Sequence, residues 1–189
     1  MTGNPPLSLA EWVVLAIVSE SPTHGFPIAQ LTASDGELGR IWHVPRPVVY
    51  RSLGRLADAL LITEGGSEPG RGPQRTIYAV TAQGREAVAY WLQTPVDHVR
   101  DVRSHLLIKL ALLHRVGADP GDLLRRQREV LTPIAQAMAA EQGSSSGFES
   151  TLLAWRRASA AAAISFLADV AHEADGPASP GRAVPSGRG

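Results

Sequence analysis

Six arginines crowd one stretch of this chain: Arg40, Arg46, Arg51, Arg55, Arg71 and Arg75, against only Asp58, Glu64 and Glu68. The whole chain has a formal net charge of zero, so this is a focused basic patch and not a general cationic coat. A guanidinium group offers a planar fork of donors that suits phosphate oxygens and guanine edges. Arg46, Arg51 and Arg55 fall within one helical stretch. Arg71 and Arg75 flank Gly72-Pro73, where Gly and Pro favour a cationic turn. Such placement suits the backbone of a nucleic-acid duplex. The plainer alternative is a basic face that merely meets water.

The elements that must position these arginines can be read from periodicity. Ser8 followed by Glu11 forms a capping box ahead of an apolar first helix over residues 7–21. Leu7 and Trp12 are placed as a hydrophobic staple. A second helix is expected over 23–33 with Thr23 as its cap, and Ser34-Asp35-Gly36 ends it. Pro45 and Pro47 open a third helix over 45–59. Val49, Leu53, Leu56 and Leu60 form its inward stripe, leaving Arg46, Val48, Arg51, Ser52 and Arg55 on other faces. A hairpin over 61–81 follows, with Gly65-Gly66 and residues 70–73 expected in an irregular loop. Thr81 caps a fourth helix over 82–93. A recognition-type helix followed by a hairpin with a positive tip is the layout of a winged helix-turn-helix.

Beyond Pro95 long helices are expected. Val99, Val102, Leu106, Leu110 and Leu113 keep helical spacing. Asp119 caps a helix from Pro120 toward Ala140, kinked at Pro133, with Leu123, Val130, Ile134 and Met138 on one side. Gly143 to Gly147 is a flexible connector by composition. A last helix over 149–172 carries Leu152, Trp155, Ala162, Phe166 and Val170. The expected division is 7–94, 95–172 and a disordered tail, 173–189, with a hinge near Pro95. Cys is absent, which excludes disulfides and thiolate metal sites and fits a reducing cytoplasm. The first six residues lack the pattern of a signal peptide, and apolar runs stop short of membrane-spanning length.

His24-Gly25-Phe26, Val49-Tyr50-Arg51-Ser52-Leu53-Gly54-Arg55-Leu56, Gly72-Pro73 with Ile77-Tyr78, and Thr81-Ala82-Gln83-Gly84-Arg85 stand in an order that resembles the PadR-like transcriptional regulators. Arg100-Asp101 and Leu106-Leu107-Ile108-Lys109-Leu110 resemble the opening of that family's C-terminal helical domain. The resemblance implies a mainly α fold: an N-terminal winged helix-turn-helix with a small β hairpin, and a C-terminal helical dimerisation domain. It implies a cytoplasmic homodimer, a repressor or related regulator, on palindromic operator DNA. In some members C-terminal helices help to shape an effector pocket. Two positions depart from the family pattern: Pro47-Val48 stand where a small or hydroxyl residue is common, and Phe26 replaces a common Tyr.

On this reading the third helix enters a major groove with its N-terminal part leading. Arg46 and Arg51 are the candidates for guanine edges, and Val48 for a thymine methyl. Arg55 and His43 are placed for phosphate. Tyr50 either bonds a phosphate or packs against the first helix. Arg71 and Arg75 would grip the backbone or the adjacent minor groove. Trp91 and Trp155 are candidates to line a small-molecule effector cage, with ordinary core packing as the alternative. His98, Asp101 and His105 would share one helical face, where water is the preferred neighbour over a metal. No metal or cofactor is expected. No Ser-His-Asp set, nucleotide-cradling Gly loop or zinc-protease pattern appears, so no enzyme is expected. A different class of function remains open: a winged-helix module that binds protein rather than DNA.

Overall fold

The first helix, α1 (Leu9–Glu20), starts where the capping box places it. The Ser8 backbone N–H donates to Glu11 Oε2 at 2.7 Å, and the Ser8 hydroxyl accepts from the Glu11 N–H. Val13 to Val18 are all buried, so α1 is the central rod of the N-terminal half. The computed structural model describes residues 7–68, 75–140 and 147–175. Around α1 lie α2 (Gly25–Leu31), α3 (Arg46–Asp58), the strands β1 (Ile62–Glu68) and β2 (Arg75–Val80), and α4 (Ala82–Gln93). Together these form a helix-turn-helix with a two-stranded antiparallel hairpin after it.

Four local expectations are corrected. His24, not Thr23, caps α2: its Nδ1 accepts from the Phe26 N–H at 3.3 Å. Thr23 instead forms an antiparallel bridge with Tyr78, tying the entry of α2 to the hairpin. Leu60 does not face inward. It adopts a left-handed φ of 58° and is 69% exposed, while Leu61 N–H donates to Leu56 O and takes the buried place. This is a Schellman-type stop with leucine where glycine is usual. Ser52 is buried rather than outward. Finally, β1 continues through Gly65-Gly66, and the pairing shifts register between Glu64 and Ser67, where Gly66 has φ 118°.

The turn between α2 and α3 is tight. Leu38 is fully buried there, and a Cβ on Gly39 would lie 1.6 Å from the Ala33 carbonyl oxygen. Only glycine lets the chain pass.

The C-terminal half departs from regular helix at its start. Val99–Asp101 is a 3-10 turn and Val102–Leu106 a π-helical turn, leading into α5 (Leu107–Arg115). Then come α6 (Gly121–Ala140), which runs through Pro133, and α7 (Phe148–Asp175). A second core gathers Val102, Leu106, Leu123, Leu124, Leu131, Ala163 and Leu167. The most buried positions of α6 are Leu123, Leu124, Gln127 and Leu131, and the expected Val130 and Ile134 pack at the margin of that core. On α7 they are Ala160, Ala163 and Leu167, which turns Trp155 outward. The expected connector at 143–147 and the expected tail fall mostly outside the described residues; α7 itself extends to Asp175.

The two halves are joined by a fastened linker rather than a loose hinge. The Lys109 ammonium donates to the Thr94 carbonyl at 2.5 Å. The fully buried Gln127 clasps Val96 twice: its Oε1 accepts from the Val96 N–H and its Nε2 donates to the Val96 carbonyl, each at 2.8 Å. Arg115 of α5 also reaches back to Glu20 with two donors, at 2.9 and 2.8 Å, and to Glu37.

Candidate nucleic-acid interface

Helix α3 is amphipathic by construction. Val49, Ser52, Leu53 and Leu56 are buried, and Arg46, Pro47, Tyr50, Arg51, Gly54 and Arg55 are exposed. Pro45 and Pro47 at its start cost no hydrogen bond, because the first-turn donors have no partner inside a helix. The outer face therefore presents guanidinium groups from its N-terminal end onward.

Arg46 lies over two rings. Its guanidinium carbon is 5.8 Å from the centre of Phe26 and 5.6 Å from that of Tyr50. Tyr50 packs against α2: a Cβ on Gly25 would come within 2.6 Å of its Cε1. Burial pushes the Tyr78 hydroxyl above its ordinary range, with Glu64 and Tyr50 adding to the effect, so it stays protonated at neutral pH. Arg51 is exposed and has no ion-pair partner among the described residues. Arg55 has one: its Nη1 lies 2.9 Å from Oε1 of Glu11, a side chain only 3% exposed. Val48 is half-buried against the N-terminal core. His43 is exposed, and its Nδ1 lies 3.1 Å from the Thr32 carbonyl, which can only accept, so the proton sits on Nδ1.

The hairpin carries the remaining candidates. Arg75 opens β2, its backbone opposite Glu68. Arg71 and the wing tip lie outside the described residues.

Residues 14–90 match the family model described as the transcriptional regulator PadR-like family. Over these residues the chain is similar to the PadR-like family. The match spans α3 and both strands, so the basic face lies inside the PadR-like region. Among solved structures, the chain is similar to Bacillus subtilis PadR in complex with operator DNA at 18% identity, covering 89% of this chain and 100% of that one, with a TM-score of 0.46. It is also similar to the PadR-like transcriptional regulator BC1756 from Bacillus cereus at 19% identity, covering 88% and 98% with a TM-score of 0.38. A protein of Streptococcus mutans UA159, smu.1704, is 25% identical over 48% of this chain and 78% of its own, with a TM-score of 0.36. No curated protein matches this chain.

The two tryptophans do not share a site. Trp91 is buried and stacks on Trp12, with ring centres 5.2 Å apart and planes 2° from parallel. Trp155 lines a cavity of about 850 Å³ beside Arg100, Arg103, Met138, Arg156 and Phe166. His98 precedes the 3-10 turn, and Asp101 and His105 approach only to 4.0 Å. The expected common helical face is therefore broken by the irregular turns. Among the described residues no group of three or more His, Asp or Glu is placed to hold a metal ion. No helix among them is long and apolar enough to cross a membrane.

Sequence reasoning missed Glu11 as a neighbour of this interface. Its capping role was visible, but its contact with α3 depends on how α1 and α3 pack.

Proposed function

We propose that the protein is a cytoplasmic transcriptional repressor that binds palindromic operator DNA as a homodimer. Residues 7–94 would bind DNA, residues 95–172 would form the dimer, and a small-molecule effector would release it. The observation that carries this reading is the exposed face of α3, where Arg46 and Arg51 stand with their donors available at the leading end of a helix-turn-helix. Similarity to a family of transcriptional regulators over residues 14–90 supports it. The neutral total charge is compatible, because specificity needs a local field and not a global one.

The test is selection of bound duplexes from a random pool, with the oligomeric state measured by light scattering. The expected product is an inverted repeat whose half-sites lie about one helical turn, ~34 Å, apart, bound by a dimer. Absence of any enriched sequence would favour a protein-interaction module and end the DNA reading. An enriched single half-site bound by a monomer would overturn the dimer.

A further inference from the structure

Helices α2 and α3 meet at a cluster of aromatic and cationic groups that a simple account of arginine contacts does not use. Phe26 and Tyr50 are both large and both substantially exposed, at 41% and 44%. Apolar surface gathered in one exposed patch marks a contact more than single exposed residues do. Here the contact is Arg46, which lies over both.

Three further features hold this cluster in place. Pro45 and Pro47 flank Arg46, so the φ angles of the residues on either side of it are fixed. Gly25 lets the Tyr50 ring sit directly on α2, where any side chain would collide with it. The His24 ring accepts the Phe26 N–H and fixes the first turn of α2. A lone arginine side chain samples many rotamers and loses that freedom on binding. Ring faces attract the guanidinium through their negative quadrupole and leave its edge donors pointing away.

We propose that Phe26 and Tyr50 are positioning residues that preset the Arg46 guanidinium and so determine how sharply it selects one base pair. This rests on the DNA-reading role of α3 stated above. Phe26 needs no hydroxyl for this task, because its ring face supplies the attraction. The aromatic pair acts through Arg46 and not on the duplex, so its removal affects selectivity at one position and leaves the backbone-driven affinity in place.

The experiment compares full-length wild type, Phe26→Leu, Phe26→Tyr, Arg46→Ala and the double variant Phe26→Leu/Arg46→Ala. Base preference is measured at each position of the selected duplex, together with the salt slope. Expected is that Arg46→Ala relaxes one base pair and that Phe26→Leu weakens preference at that same pair by on the order of threefold. Phe26→Tyr should retain it, the double variant should add nothing to Arg46→Ala, and the salt slope of Phe26→Leu should stay at the wild-type value. In the DNA-free protein, the Arg46 Nε–H resonance should carry a ring-current shift that Phe26→Leu diminishes. The proposal is overturned if Phe26→Leu keeps the wild-type preference, if the double variant shows additive losses, or if Arg46→Ala relaxes no base pair. A wild-type protein with no base preference would instead overturn the DNA reading itself.

Discussion

Arg55 on α3 and Glu11 on the central helix form a 2.9 Å ion pair that links the capping box of α1 to α3. Glu11 Oε2 accepts from the Ser8 N–H and hydroxyl, and Oε1 faces Arg55. One buried carboxylate thus holds two elements. Arg55→Ala strands that carboxylate, and a buried charge without its partner is costly. Because Arg55 itself is largely in water, the expected loss is modest, about 1–2 kcal/mol in urea unfolding. Arg51→Ala is the control and should leave stability unchanged. Equal stabilities for the two variants would show that the pair contributes nothing.

Arg51→Ala should instead act on DNA. Its guanidinium stands free of ion pairs on the outer face of α3 among the described residues. Loss of a two-donor base contact should cost about 1–3 kcal/mol in binding the selected duplex and relax one base position. A titration with unchanged affinity and preference would exclude that role.

Arg75 stands at the start of β2. Its substitution by Ala should weaken all duplex sequences alike and reduce the slope of log affinity against log salt by about one. A sequence-selective loss with an intact slope would contradict a backbone contact.

Burial pulls the Lys109 ammonium down to about 8, with Asp97 acting in the opposite direction. The ring of Trp91 lies 5.1 Å from Nζ, and the Thr94 carbonyl accepts from it. Its ordinary value is 10.5, so between about 8 and 10.5 the unfolded chain holds a proton that the folded chain has released. Stability from this group must therefore rise with pH across that window, and it is at its lowest below it. The difference in unfolding free energy between wild type and Lys109→Met, measured from pH 7.5 to 10, should rise by on the order of 1–2 kcal/mol. A flat difference would refute the lowered value.

Gln127→Leu should be among the most damaging single changes in the C-terminal half. The side chain satisfies both the N–H and the carbonyl of Val96 where neither reaches water. Leucine leaves both unpaired, at a cost of roughly 2–4 kcal/mol in urea unfolding. A loss below about 1 kcal/mol would mean that the linker finds other partners.

Much of the PadR-like part was legible because its signals are local. The capping box of Ser8 and Glu11, the prolines that start α3, and the Thr81 cap of α4 each depend on residues a few positions apart. The outward placing of Arg46, Arg51 and Arg55 followed from the same periodicity. What was not legible depends on partners far along the chain. Thr23 reads as a cap until Tyr78 is brought beside it. Gly65-Gly66 reads as a loop until β2 pairs across it. Leu60 fits the stripe of α3, but the left-handed stop rotates it out and puts Leu61 in its place. Trp91 reads as core more readily than as a cage wall, and its stack on Trp12 places it in the core. The stripe Val99, Val102, Leu106, Leu110 and Leu113 does gather at the second core, but the 3-10 and π-helical turns over Val99–Leu106 left no signal in the sequence pattern.

The clasp on Thr94 and Val96 has a mechanical consequence. With one strap end bound to Lys109 and the other to Gln127, a torque applied to α6 cannot be dissipated in slack chain. It is delivered to the end of α4, and from there through the Trp91–Trp12 stack to α1, which carries α3. The distal helices are thus tied, without a slack joint, to the rod that carries the basic face.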